Sequence, residues 1–129
     1  MEYYISKTVN GTFDEVIKNV KDELKKEGFG VLTEIDIKNT FSNKLNIDFR
    51  KYTILGACNP EYAHSALKAE DKVGTMLPCN LVVQEKGKGK VEVAAVNPKA
   101  SMMAIPNSDL RQLATDVTQK LTNVINALH

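Results

Sequence analysis

A chain of 129 residues with 43% hydrophobic and 26% charged residues has an ordinary globular composition and enough length to bury a hydrophobic core, which excludes disorder, a coiled coil and low complexity. Its 17 basic and 16 acidic residues nearly cancel, so no bulk charge draws it to nucleic acid or an anionic membrane, and neither is expected as a partner. The opening MEYYISKTV lacks the basic-then-apolar layout of a secretory signal and no apolar run reaches membrane-spanning length, so one cytoplasmic domain over residues 1–129 is expected.

From Tyr3 to Val9 the chain places Tyr3, Ile5 and Val9 on one side and Tyr4, Ser6 and Thr8 on the other, the period-two pattern of a half-buried strand. Asn10-Gly11 ends it. Thr12 stands three residues before Glu15, a capping-box spacing, and Phe13, Val16, Ile17, Val20 and Leu24 then recur at helical spacing. Gly28 suits the left-handed turn that often closes a helix. Phe29 to Ile35 reads as a second strand. Asp36 to Asn46 carries Ile37, Phe41 and Leu45 at helical spacing, although Asn39, Ser42 and Asn43 lower its helical propensity. Lys38, Lys44, Arg50 and Lys51 allow an anion site or, more simply, a solvated face.

Tyr52 to Cys58 is nearly continuous in apolar and β-favouring residues, as a covered interior strand would be. Asn59 then fits a helix cap, with Pro60 in the first helical position, where its missing N–H costs nothing. Ala63, Ala66, Leu67 and Glu70 fall on one side of that short helix, and Asp71 to Met76 reads as a loop. Pro78 fixes the approach to a strand over Asn80 to Glu85. Lys86-Gly87-Lys88-Gly89 joins it to Lys90 to Val96 as a hairpin, since no Gly-Lys-Ser/Thr ending or following helix supports a phosphate loop. After a crossing at Ser101 to Pro106, Asn107 or Ser108 caps a long last helix whose stripe is Leu110, Leu113, Ala114, Val117, Leu121, Val124, Ile125 and Leu128.

This order predicts an α+β fold with a mostly antiparallel or mixed sheet covered by long helices. The residues Gly56-Ala57-Cys58-Asn59-Pro60, Ala63, Ala66-Leu67, Gly74, Leu77-Pro78-Cys79-Asn80 and Val82-Val83 resemble the bacterial and archaeal domain of unknown function 302 family. The likeness runs over essentially the whole chain, through Pro98, Met102-Met103 and the amphipathic last helix. It implies a TATA-binding-protein-like β-α-β4-α arrangement with a short helix inserted before the fourth strand, a matter of shape and not of DNA binding. It implies no particular activity.

The chemistry concentrates at the two cysteines. If the Tyr52 and Asn80 strands are antiparallel neighbours, the end of one lies beside the start of the other, which brings Cys58 and Cys79 to one edge. A cysteine just before a helix N-terminus has its thiolate favoured by free N–H groups and the helix dipole, and Asn59 and Asn80 add donors. The expected site is therefore Cys58, Asn59, Cys79 and Asn80, in a module binding a small ligand, a sulfur species or a metal. A thiol-dependent enzyme or redox protein using Cys58 or Cys79 is the second reading, and a structural or interaction domain with packed cysteines the third. Cys58, Cys79 and His64 make a thin metal set without CxxC spacing, and Met76, Met102 and Met103 are soft donors whose ordinary use is packing. A Cys58–His64 dyad puts the base about a turn and a half along the helix. No nucleophile elbow, dinucleotide fingerprint or zinc-protease helix is present, and no cofactor is indicated. Two long one-sided helices leave one sheet face short of cover, with Tyr3, Tyr4, Met102 and Met103 available as an apolar patch, so a homodimer is expected.

Overall fold

The computed structural model describes residues 1–129. Its elements run β1 (Tyr4–Asn10), α1 (Phe13–Lys26), β2 (Gly30–Asp36), α2 (Ile37–Leu45), β3 (Tyr52–Cys58), α3 (Pro60–Ala69), a 3-10 turn over Asp71–Met76, β4 (Cys79–Gly87), β5 (Lys90–Val96), α4 (Pro98–Ser101), a 3-10 turn over Met102–Ala104, and α5 (Asp109–Ala127). The strands form one antiparallel sheet in the order β1-β5-β4-β3-β2. The α+β class, the antiparallel sheet and the inserted helix before the fourth strand all match the expectation from sequence. No helix is long and apolar enough to cross a membrane.

Local chemistry starts each covering helix where the sequence places it. Thr12 Oγ1 accepts the Glu15 N–H at 3.3 Å, so α1 begins at Phe13, and Phe13, Val16, Val20 and Leu24 are buried along it. Because β1 and β2 lie at opposite edges, the chain must cross the sheet between them, and α1 is that crossing. Strands β2 to β5 then return as a meander, and β5 closes against β1. α5 packs beside α1 on the same side. Lys7 of β1 donates through Nζ to the carbonyls of Asn126 (3.3 Å) and Leu128 (2.5 Å), putting a cation where the end of α5 has free acceptors.

Alternation divides the sheet into two faces. Val9, Leu55, Ala57, Cys79, Leu81, Val83, Val91, Val93 and Ala95 point to the helices and join Leu24, Val117, Leu121 and Ile125 in the main core. A smaller apolar cluster of Ala66, Val73, Met102, Leu110 and Ala114 lies beneath α3 and the start of α5.

Several local expectations change. Asp71–Met76 is a 3-10 turn rather than an open loop, and its Val73 is fully buried in the smaller cluster. The covered side of α3 runs through Tyr62, Ala66 and Ala69, and Leu67 is 44% exposed, because the Tyr62 ring packs on the main core and turns Leu67 outward. Met102 is buried, so it contributes nothing to a surface patch, while its neighbour Met103 is exposed.

Candidate functional site

The strand register assembles the site. Cys79, first residue of β4, pairs with Ala57 of β3, so Cys58 stands one residue past that pair and is separated from α3 only by Asn59. Across the sheet Cys58 pairs with Gly30 of β2. Both cysteines are free thiols, Cys79 buried and Cys58 half-buried. Together they border a cavity of about 30 Å³ whose other walls include Phe29, Tyr62, Ala66, Met102 and Val117. Those walls draw on both apolar clusters, so the cavity is a seam left where the sheet core meets the packing under α3.

The wall is almost wholly apolar, and this sets its electrostatics. The Cys79 thiol is pushed up to about 11, first by burial and then by the neighbouring Cys58. No histidine, carboxylate, lysine or arginine lines the cavity. There is also no group of three His, Cys, Asp or Glu side chains that could hold a metal ion.

Asn59 occupies the N-cap position of α3 without capping it. Its Nδ2 turns away and donates to the carbonyl of Glu27 at 3.3 Å, tying the end of α1 to the start of α3. With Pro60 at the first helical position, the opening turn of α3 has no side-chain acceptor on its free donors.

The remaining expected residues are dispersed. Asn80 is exposed, pairs with Gly56, and lines a groove on the opposite sheet face, so it does not join the cavity. His64 is exposed on α3 and does not line the cavity, which leaves a Cys58–His64 dyad without support in the geometry. Of the basic residues before β3, Lys38 is engaged by Asp48 (2.8 Å) and the Phe49 carbonyl (2.7 Å), and Arg50 donates to Gln84 at 2.9 Å. Sequence reasoning does not place Met102, Tyr62 and Val117 at the cavity: Val117 reads as part of the last helix's packing stripe, Met102 as a soft donor or packing residue, and Tyr62 is not singled out. Only the tertiary seam makes them neighbours of the thiols.

These features define a small α+β domain with a meander sheet, two covering helices and a thiol-lined seam. The chain belongs to the family described as domain of unknown function DUF302, whose model matches residues 5–128. It is similar to the crystal structure of an uncharacterized conserved protein DUF302 from Bacillus stearothermophilus, with 27% identity, a TM-score of 0.92 and 100% of each chain covered. Among curated proteins none matches.

Proposed function

We propose that the domain is a binding module for a single atom-sized soft or apolar guest, received in the cavity between β3, β4 and α3. The observation that carries this reading is that both cysteines border one apolar cavity of about 30 Å³. Pockets for metabolites enclose roughly 300–1,000 Å³, so a nucleotide, sugar or amino acid is excluded by size. A water-sized void whose lining is almost wholly apolar offers too few polar partners to hold water well. A thiol-dependent enzyme is less well supported. Cys79 is protonated at neutral pH, and no base lines the cavity to activate either sulfur.

Xenon is a suitable probe because it is one polarizable atom with no chemistry of its own. Under xenon pressure, the methyl resonances of Ala57, Ala66 and Val117 are expected to shift together and saturate, while those of Leu32 and Met103 on the surface stay fixed. Uniform small changes across all methyls would reject the cavity as a receptor site and leave the cysteines as packing residues.

A further inference from the structure

Three sulfur-bearing residues from three separate parts of the chain line the cavity: Cys58 at the end of β3, Cys79 at the start of β4, and Met102 in the turn before α5. Met102 and Cys79 are both buried, at 7% and 8% exposure. The rest of the wall is apolar apart from Tyr62, which carries a hydroxyl, and Asn59, whose Nδ2 donates to the Glu27 carbonyl. The donor set is therefore thiol, thiol and thioether. Magnesium and calcium require oxygen ligands, and structural zinc requires about four nitrogen or sulfur ligands, so neither is served here. Soft thiolate and thioether ligands select copper(I), which as a closed-shell monovalent ion accepts two or three sulfurs.

We infer that the cavity is a copper(I) site in which Cys58 and Cys79 bind through Sγ and Met102 completes the set through Sδ. This rests on the proposed reading of the cavity as a receptor for one soft guest and names that guest. The metal enters and stays as copper(I), so no electron is transferred. Each thiol that binds releases its proton to solvent, and two thiolates around one monovalent cation leave one net negative charge. α3 begins two residues after Cys58 and its first turn carries no side-chain cap, so the positive end of its dipole is available to that charge.

The test is an anaerobic titration of the whole chain with copper(I) against a competing chromophoric chelator. One ion per chain is expected, with a new near-ultraviolet thiolate-to-copper absorption, and neither zinc(II) nor magnesium(II) should compete. Cys58→Ser and Cys79→Ser should each weaken binding by more than the roughly hundredfold that loss of an outer-shell partner costs a metal site. Met102→Leu keeps the volume and removes the donor, and should weaken it roughly tenfold. Circular dichroism of each variant controls for folding. If Cys79→Ser does not fold, Cys79→Ala and Met102→Leu carry the test.

An affinity unchanged from the parent's in both Cys79→Ala and Met102→Leu would assign the ion to surface donors and overturn the inference. Failure of the chain to take copper(I) from the chelator while xenon still enters would also overturn it, leaving the receptor reading intact. Failure of both probes would overturn both.

Discussion

Gly56 of β3 lies so close to Pro78 that a Cβ at position 56 would stand 2.8 Å from the proline Cγ, and it would also run into the Thr33 hydroxyl. Gly56 pairs with Thr33 on β2 and Asn80 on β4, so the absent side chain lets both neighbours close over one point of the sheet. Glycine is required here by space. Gly56→Ala is expected to destabilise the fold by about 1–3 kcal/mol, the cost of overpacking a filled site. Adding Thr33→Ala should recover only part of that, because the Pro78 ring remains. Urea denaturation of the single and double variants measures both, and a loss within a few tenths of a kcal/mol would mean that the ring moves aside freely.

Asn59 supplies a second test because its position and its contact make opposite demands. As an N-cap, asparagine and aspartate are nearly interchangeable. As a donor to the Glu27 carbonyl, only the amide serves. Asn59→Asp should therefore destabilise by about 1–3 kcal/mol, since a carboxylate would face a carbonyl oxygen, and should do so at least as strongly as Asn59→Ala. The melting temperatures of the two variants decide it: an aspartate variant as stable as the parent would restore the capping role.

Most of the architecture was legible because local signals agreed with one another. The Thr12 cap, the Phe13 to Leu24 stripe, the Tyr52 to Cys58 run and the Leu110 to Leu128 stripe each lie where a single periodicity predicts. The antiparallel β3/β4 pairing could be stated as a condition, and the register meets it. What sequence could not supply was depth and direction. Nothing local distinguishes buried Met102 from exposed Met103, or tells Asn59 to reach toward α1 instead of capping α3. Asn80 left the expected constellation because adjacent strand residues face opposite sides, and Cys79 took the inner one.

The sheet face away from α1 and α5 motivates a prediction about assembly. Tyr3 is 74% exposed beside Tyr4, Tyr52, Val82, Ala94 and Val96, around a groove of about 510 Å³ that also carries Lys86 and Glu92. We propose that a second copy of the chain covers this groove, since two like faces would bury the exposed tyrosines between them and Lys86 and Glu92 offer charges of opposite sign along it. Light scattering should return a dimer in the micromolar range, and Ala94→Asp should yield folded monomer. A parent chain that is monomeric throughout that range would remove the proposal.

Alkaline titration tests the Cys79 environment directly. Burial and the adjacent Cys58 hold the thiol proton to about 11 against an ordinary value of 9.0. The unfolded chain therefore loses this proton before the folded chain does. Stability from the buried neutral thiol is fully present below pH 9, declines as pH rises, and is largely lost by about 11. The displacement corresponds to about 3 kcal/mol. Lysines and tyrosines titrate over the same range, so the measurement is a difference: urea stability of the parent and of Cys79→Ala, each referred to its own value at pH 8. The parent should lose about 2 kcal/mol more than the variant by pH 11. Iodoacetamide mapping at pH 8 should label Cys79 last, both because the thiolate is scarce and because the sulfur is buried. Parallel stability curves, or early labelling of Cys79, would mean that this thiol is open to solvent and that the seam is not the closed apolar environment its lining residues describe.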